Sequence, residues 1–416
     1  MKLIKPESRQ TEKHLGGFPF EDYRQSFTVS FDYPVSFTRD LFHPTNNLLI
    51  SVMDRPEEHR RHRIKVFVDD GVVRATPGIV ERIEAYFQCR QDSVEPVGTI
   101  EIVPGGERQK DGWDLARRIM DNIAASHLCR QSYVIAIGGG SVLDIVGFAA
   151  SLVHRGTRLI RIPTTVLAQN DAGVGVKNGI DDCGMKNFAG TFAPPFAVLS
   201  DYEFLRTLSD KYWLGGIAEA YKVAIIKDRE FFDDLCRVSI KLRNRDEAAM
   251  EAVVKRCAIS HLEHIRNSGD PFEFGASRPL DFGHWCAHKL ELLSDYDIGH
   301  GQAVSIGIAL DTHYACQVGL ISLHEQDAII DALIKTGLPI WSDFLEMKAA
   351  DGRLEILRGL DDFQEHLGGE LHIALPNGIG QSVEVHKMDA DIIAKTIAYL
   401  KQRASLTRIA AYSRGS

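Results

Sequence analysis

The sequence predicts a parallel α/β domain followed by an all-α domain, and three observations support this prediction. Short apolar runs alternate with helical patterns from about residue 27 to residue 199. After about residue 200, long helical patterns follow one another. The chain has 416 residues, more than the roughly 250–300 at which single hydrophobic cores stop growing. Two cores in one chain are therefore expected.

The first part of the chain alternates strands with helices. The predicted elements are a strand at IKVFVDDGV, a helix at GIVERIEAYFQ, a strand at GTIEIVP, a helix over about residues 111–126, a strand at SYVIAIGGG and a helix that begins at Ser141. Near-continuous apolar strands are typical of parallel sheets that helices cover on both faces. This pattern predicts an architecture of the nucleotide-binding type.

The second part of the chain is predicted to be a helical domain. Helical patterns cover residues 203–236, 247–265, 283–293, 302–318 and 323–336. Pro194 and Pro195 break regular structure and indicate the boundary. We therefore divide the chain into an N-terminal extension (1–24), an α/β domain (25–198), a helical domain (199–404) and a tail (405–416) that looks partly like a remnant of an expression vector.

Composition and charge narrow the function classes. A net charge of −9 gives no general attraction for nucleic acid or for an acidic membrane surface, so any anion site has to be built locally. Seven scattered cysteines without a C-x-x-C pair favour a reducing compartment over a disulfide framework. The most apolar stretch, residues 133–154, is interrupted by glycines and Asp144. A soluble, cytoplasmic protein is expected.

A glycine triplet is the first candidate binding element. Gly138, Gly139 and Gly140 follow an apolar strand and precede the helix that begins at Ser141. Free N–H groups and the helix dipole at such a position favour an anion, for example a pyrophosphate. The alternative is a tight strand-to-helix turn without a ligand. The triplet also differs from the G-x-G-x-x-G fingerprint of dinucleotide-binding proteins.

Two weaker signals lie earlier in the chain. A second glycine turn comes directly before Glu107 and has Lys110 nearby. Asp69 ends the first long predicted strand, where its carboxylate could bind ribose hydroxyls. Neither signal is specific when taken alone.

Candidate metal ligands are concentrated in the second half. Glu219, His284 and His300 lie in three helical segments, and His288 follows His284 by one helical turn. Imidazole and carboxylate ligands suit Zn²⁺ or a similar ion with one position left open for substrate. The alternative is that the histidines are ordinary core or surface residues and that Glu219 forms a simple ion pair with Lys222. An unpaired charge in so apolar a helix would be costly.

A polar run connects the two groups of signals. Asp171, Lys177, Lys186 and Asn187 lie among glycines and small residues between residues 163 and 195. Lysine and asparagine on a glycine-rich loop can bind a phosphate through a point charge and an amide donor. The alternative is a mobile polar loop without a ligand.

Taken together, these segments resemble the sugar phosphate cyclase superfamily, whose founding member is 3-dehydroquinate synthase. The likeness runs from about Pro104 to the C-terminal helix and rests on the blocks GGGSVLD, RGTRLIRIPTTVLAQNDAGVGVKNG, MKNFAG, GIAEAYK, DFGHWCAH and HGQAV. The resemblance implies a Rossmann-like N-terminal domain, a helical C-terminal domain, a homodimer, bound NAD and a catalytic Zn²⁺ or Co²⁺.

The resemblance also implies a role for individual residues. It gives the metal to Glu219, His284 and His300. It gives NAD to Asp69, Glu107, Lys110, Gly138, Gly139, Gly140, Ser141, Asp144, Thr164, Thr165 and Lys186. Asp171, Lys177, Lys222 and His288 resemble catalytic groups. Substrate binding falls to Arg155 of a neighbouring subunit, Lys177, Asn187, Arg278, Asp281 and His366.

Departures from dehydroquinate synthases bear on the substrate. Asp281 stands where those enzymes have asparagine, and His366 stands where they have lysine. A further lysine is missing around His261, and Arg278 is one residue closer to His284 than expected. An added negative charge and fewer lysines disfavour a substrate carboxylate. A sugar phosphate without that carboxylate is therefore expected.

Two subgroups share these departures. Asp281 and the EHLGG segment resemble the sedoheptulose 7-phosphate cyclases, which make valiolone-type cyclitols and usually replace the histidine at His288. The block RPLDFGHWCAHKLE resembles a dehydroquinate-synthase-like subgroup of bacterial ebo-type clusters.

The resemblance predicts an enzyme, a carbon–oxygen lyase that eliminates phosphate from a 7-phospho-ketoheptose and closes a carbocycle. Sedoheptulose 7-phosphate is the favoured substrate. One alternative is a 3-dehydroquinate synthase acting on 3-deoxy-arabino-heptulosonate 7-phosphate. A second is a metal-dependent polyol dehydrogenase, and a third is a non-catalytic protein that binds a sugar phosphate or a partner.

Overall fold

The computed structural model describes residues 13–15, 18–20, 25–58, 60–272, 279–366 and 369–412. Two compact units divide the chain, residues 1–33 and residues 34–416. In the described residues, the strands in chain order are β1 Lys13–Leu15, β2 Phe18–Phe20, β3 Val35–Thr38, β4 His62–Asp69, β5 Val94–Pro96, β6 Glu101–Val103, β7 Tyr133–Gly138, β8 Arg158–Pro163, β9 Lys177–Asp182, β10 Met185–Phe192, β11 Ala197–Asp201, β12 Ile373–Pro376 and β13 Ser382–Val385. In the first unit, β1 and β2 form a two-stranded antiparallel sheet.

The helices described for the second unit occur in both of its halves. They are α1 Leu48–Met53, α2 Asp70–Ala75, α3 Ile79–Gln88, α4 Asp114–Ala125, α5 Gly140–Leu152, α6 Asp210–Lys227, α7 Arg229–Arg243, α8 Glu247–Asn267, α9 His284–Leu293, α10 His300–Gln317, α11 Leu323–Thr336, α12 Arg358–His366 and α13 Ala390–Tyr412. None of the helices within the described residues has both the length and the apolar content needed to cross a membrane.

A seven-stranded parallel sheet is the centre of the first half. Its strand order is β3-β11-β8-β7-β4-β5, and β6 also pairs with β4. The chain leaves β4 toward β5 and β6 and then returns to the other side of β4 through β7. The carboxyl ends of β4 and β7 therefore form a topological switch point, where open α/β sheets bind their ligands.

Apolar side chains on both faces explain why the sheet is parallel and central. Every residue of β7 is buried, and separate apolar clusters cover the two faces. The second half forms a third cluster around α6, α9, α10 and α11. There, α6 and α10 approach so closely that a Cβ atom on Gly301 would lie 2.0 Å from the carbonyl oxygen of Gly215. This contact brings two helices with candidate ligands together.

The predicted fold class is confirmed, with local differences. The strand predicted at IKVFVDDGV ends at Asp69, because its carboxylate accepts a hydrogen bond from the Gly71 N–H and caps α2. Helix α13 continues to Tyr412, through the predicted boundary between domain and tail. The hairpin of β12 and β13 was not predicted. The other proposed domain boundaries stay predictions.

The segment interpreted as a glycine-rich loop is an antiparallel hairpin of β9 and β10. Its two turn residues, Cys183 and Gly184, have φ values of 52° and 74°. Positive φ at both central residues is the signature of the type I′ turn, which matches the twist of antiparallel strands. The prediction of a loop was therefore wrong for residues 177–192.

A buried arginine holds the segment that leads into this hairpin. Arg161 on β8 has no exposed surface. Its guanidinium donates to the carbonyls of Gly173, Gly175 and Lys177 at 3.1, 2.8 and 2.9 Å, and to the Asn178 side chain at 2.6 Å. These bonds satisfy backbone acceptors that water cannot reach.

We expect Arg161→Met to lower the free energy of unfolding by about 3 kcal/mol, because it leaves several buried acceptors unsatisfied. Arg82→Met, on the exposed face of α3, is the matched control and should change stability by less than about 0.5 kcal/mol. Urea unfolding measures both variants. Equal stability of the two would contradict this role of Arg161.

Candidate active site

The glycine triplet lies at the switch point of the sheet, as the architecture requires. A Cβ atom on Gly138 would lie 2.9 Å from the Cβ atoms of Asp69 and Val142, so no side chain fits there. The Gly139 N–H donates to the Asp69 carboxylate at 3.3 Å. Burial raises the pKa of Asp69. The structure thus brings Asp69 and the triplet together.

The N-terminus of α5 is open to an anion. Gly139 is its N-cap residue, and no side chain caps the helix. The strand β8 ends beside it, where the Thr164 N–H donates to the Gly138 carbonyl at 3.0 Å. A Cβ atom on Gly139 would lie 3.3 Å from the Thr165 methyl carbon. Uncapped N–H groups and the helix dipole favour a phosphate at this point.

Three helices bring the predicted metal ligands to one place. Glu219 on α6 has no exposed surface. The Nε2 atoms of His284, which begins α9, and of His300, which begins α10, lie 3.7 and 3.3 Å from its Oε1 atom. All three ligand atoms lie within 4.8 Å of one another. This spacing suits one tetrahedral ion with an open position.

In both histidines, the Nδ1 atom, which points away from Glu219, forms a hydrogen bond. His284 donates its Nδ1–H to the Phe282 carbonyl at 3.1 Å. His300 donates its Nδ1–H to the Glu291 carboxylate at 3.0 Å. With a metal ion bound, these bonds would favour the tautomers in which Nε2 carries the lone pair, as outer partners of metal-bound histidines do. The donor set therefore fits a first-row divalent ion.

The charge on Glu219 needs compensation. Neither of its buried carboxylate oxygens accepts a well-formed hydrogen bond from the described residues. Burial alone would raise the pKa of Glu219, but the positive charge of Lys222, one turn along α6, lowers it to about 2. Glu219 is therefore an ionised carboxylate, as a candidate metal ligand has to be.

A π-helical turn, Ala168–Ala172, carries Asp171 into the same region. The Asp171 carboxylate forms an ion pair with His261 Nδ1 at 2.8 Å. Burial alone would raise the pKa of Asp171, but Lys222 and His261 lower it well below its ordinary range. Asp171 and Lys222 are thus a carboxylate and an ammonium beside the candidate ligands.

His288 lies one turn after His284 and borders the same cluster. Its ring centroid is 5.4 Å from that of His284 and 6.2 Å from that of His300. Burial lowers the pKa of His288 well below its ordinary value. The side chain is therefore a neutral imidazole.

Ion pairs connect the candidate ligands with the residues near the glycine turn. Glu291 Oε1 pairs with Lys186 at 2.8 Å, and Lys186 pairs with Glu107 at 3.2 Å. Lys110 pairs with Glu107 at 3.4 Å and with Asp144 at 2.9 Å. Burial alone would raise the pKa of Glu107, but these two lysines lower it to about 2. Opposite charges alternate along this buried row.

The remaining predicted residues occupy different places. Asn187, next to Lys186 on β10, accepts from Lys110 at 2.9 Å. Lys177 is exposed at the start of β9. Arg155 follows the C-terminal end of α5, so about 20 Å of helix separates it from the glycine turn.

The last three residues of the predicted substrate pocket are Asp281, Arg278 and His366. Asp281 ends a short 3₁₀ turn, Pro279–Asp281. Burial alone would lower the pKa of Lys222, but the charges of Glu219, Asp171 and, to a smaller extent, Asp281 raise it. Arg278 and the side chain of His366 lie outside the described residues.

Glu291 and His261 are site residues that were not predicted from the sequence. Glu291 follows His284 by seven residues and His288 by three, which places all three on one face of α9. That spacing is a sequence signal that could have identified it. His261 has no such signal, since its partner Asp171 comes from a distant segment.

Comparison with known proteins places the chain in a family. Profiles described as 3-dehydroquinate synthase N-terminal and C-terminal match residues 100–214 and 216–357. A 2-epi-5-epi-valiolone synthase of Streptomyces glaucescens is 31% identical over 92% of this chain and 93% of its own length. The chain belongs to the 3-dehydroquinate synthase-like superfamily of sugar phosphate cyclases. It is an enzyme of that superfamily, whose founding member is a carbon–oxygen lyase.

Two further relatives are informative: one has a different activity within the family, and the other has a solved structure. A 3-dehydroquinate synthase of Campylobacter fetus is 32% identical over 72% of this chain and 83% of its own length. The structure of ValA, a 2-epi-5-epi-valiolone synthase from Streptomyces hygroscopicus with NAD⁺ and Zn²⁺ bound, has a TM-score of 0.80 and 29% identity. It covers 92% of this chain and 100% of ValA.

The Glu291→Gln variant tests the outer partner of His300. We expect divalent-metal affinity to fall about 10–100-fold, because the neutral amide holds the imidazole less firmly. Chelator competition measures the affinity. Glu84→Gln, on the exposed face of α3, is the control and should bind metal like the parent. Parent-like affinity of Glu291→Gln would contradict the assignment.

Proposed function

We propose that this enzyme is an NAD- and divalent-metal-dependent cyclase that eliminates phosphate from sedoheptulose 7-phosphate and closes a valiolone-type cyclitol. The arrangement of Glu219, His284 and His300 around one point is the observation that carries this proposal. The similarity to ValA, whose structure has NAD⁺ and Zn²⁺ bound, supports both cofactors. When bound, the metal would supply Lewis acidity to a substrate hydroxyl and NAD⁺ would take and return one hydride per turnover.

The switch point of the sheet is the proposed NAD site. Gly138, Gly139 and Gly140 leave room for a close backbone approach, and the uncapped start of α5 would bind the pyrophosphate. We assign the ribose hydroxyls to Asp69, whose carboxylate borders the triplet at Gly139. Ser141, Thr164 and Thr165 border the same turn, while Asp144 and Lys110 stabilise it from the side of the ion-pair row.

Proton transfer is assigned to groups next to the metal ligands. His288 is neutral and can accept and return a proton. Asp171 and Lys222 are charged and orient the reacting hydroxyls through hydrogen bonds. His261 holds the Asp171 carboxylate in position.

The phosphate of the substrate is assigned to cationic and amide donors. Lys177 and Asn187 lie on the β9–β10 hairpin, which the backbone bonds of Arg161 hold in place. We further propose a homodimer in which Arg155 reaches the partner's phosphate site. Its place at the end of α5 opposite to the glycine turn supports a role outside its own site.

The substrate assignment rests on Asp281 and His366. Asp281 lies near Lys222 and His284, where its charge opposes a substrate carboxylate. The alternative, a 3-dehydroquinate synthase, is favoured by the 32% identity to the Campylobacter fetus enzyme. The second alternative is a polyol dehydrogenase. Such an enzyme needs no phosphate site, so the proposed phosphate site argues against it.

Release of inorganic phosphate tests the function. With NAD⁺ and Zn²⁺, we expect release from sedoheptulose 7-phosphate and little from 3-deoxy-arabino-heptulosonate 7-phosphate, because Asp281 repels the carboxylate. Release only from the second compound would make the enzyme a dehydroquinate synthase. NADH accumulation in proportion to substrate, without phosphate release, would make it a dehydrogenase.

Mixing two inactive variants tests the role of Arg155 in the partner's site. Arg155→Ala and Glu219→Gln should each lose activity, whereas their re-assorted mixture should recover about a quarter of the parent rate, since half of the dimers then hold one complete site. If Arg155 served its own chain, no dimer in the mixture would hold a complete site. Parent-like activity of Arg155→Ala alone would also contradict the assignment.

A further inference from the structure

A second cluster of metal-ligating side chains lies on the hairpin of β12 and β13. Ile373 pairs with Val385 in this antiparallel hairpin, so His372 stands opposite His386 at its open end. Side chains two residues apart on a strand share a face, which places Glu384 beside His386. One face of the hairpin therefore carries two imidazoles and a carboxylate.

The distances bring these groups within reach of one ion. The Oε1 atom of Glu384 is 2.9 Å from His372 Nδ1 and 3.9 Å from His386 Nε2. The three ligand atoms lie within 4.8 Å of one another. Ligand atoms of a tetrahedral zinc ion are separated by about 3.3 Å, so an ion needs only a small opening of the shorter pair.

Hydrogen bonds around the cluster orient both rings. His386 donates its Nδ1–H to the Leu371 carbonyl at 2.9 Å, which leaves the lone pair on Nε2 facing Glu384. His372 is oriented by the hydrogen bond between its Nδ1 atom and the Glu384 carboxylate at 2.9 Å, and its Nε2 atom lies 3.8 Å from the Glu370 carboxylate. The alternative is a simple His372–Glu384 ion pair beside a His386 ring that the Leu371 carbonyl holds.

One of the three side chains, His386, borders open space. His386, Glu370 and Leu371 line a cavity of about 660 Å³ together with residues of α12. The ligands of the first site come from α6, α9 and α10, whereas these come from the hairpin alone. The hairpin also packs against the turn that ends at Asp281.

We propose that His372, Glu384 and His386 form a second divalent-metal site, of the zinc type, that ties the two strands of the hairpin together. The ion is bound by two imidazoles and one carboxylate, with water in the remaining position. This site is structural, and it is independent of the proposed cyclase reaction.

Zinc content per chain tests the proposal. The NAD-loaded enzyme is stripped with a chelator, reloaded with Zn²⁺, desalted and analysed by inductively coupled plasma mass spectrometry. We expect two zinc ions per parent chain and one in His372→Ala, His386→Ala and Glu384→Gln. His324→Ala, an exposed histidine on α11, is the control and should keep two.

Phosphate release from the same samples separates this site from the first. The hairpin variants should retain phosphate release. Glu219→Gln should lose phosphate release together with the zinc ion of the first site. A parent chain with a single zinc ion that Glu219→Gln removes would overturn the proposal. The proposal is also overturned if all three hairpin variants keep the metal content of the parent.

Discussion

The buried carboxylate of Glu219 has to be matched by positive charge, and the arrangement around it follows from that requirement. An ionised carboxylate without a partner would be too costly in the apolar interior of α6. Lys222 supplies one charge from the same helix, and the Nε2 atoms of His284 and His300 face the remaining oxygen. Close contact between α6 and α10 makes this convergence possible, because glycines at the crossing let the two backbones approach. A divalent ion at the same point would complete the compensation and would supply the chemistry of the proposed site.

The metal cluster is not isolated from the sheet. Glu291 binds His300 on one side and Lys186 on the other, and through Glu107 and Lys110 the row of charges ends at Asp144 on α5. The proposed cofactor and metal sites therefore share one electrostatic framework that spans the helical and the α/β halves. A change in the position of one charge alters the field at the next, since screening by water is weak inside the protein.

The parts of the fold that depend on local pattern could be predicted from the sequence. The parallel sheet followed from apolar strands such as β7, and α9 to α11 followed from helical periodicity. Prediction failed for the ion pair of His261 with Asp171, whose partners are distant in sequence, and for the β12–β13 hairpin, although its two strands are joined by a short loop. The β9–β10 hairpin was missed although Cys183 and Gly184 offered a turn signal. Roles of single residues came from family resemblance, because spacing alone is equally compatible with ordinary surface or core histidines.

The convergence of three ligands on one ion is tested most directly by anomalous X-ray diffraction from zinc-loaded crystals at the zinc absorption edge. We expect a peak at coordination distance, about 2.0–2.2 Å, from a Glu219 carboxylate oxygen and from the Nε2 atoms of His284 and His300. A peak coordinated instead by His288 and Glu291, or no peak among these three helices, would contradict this arrangement.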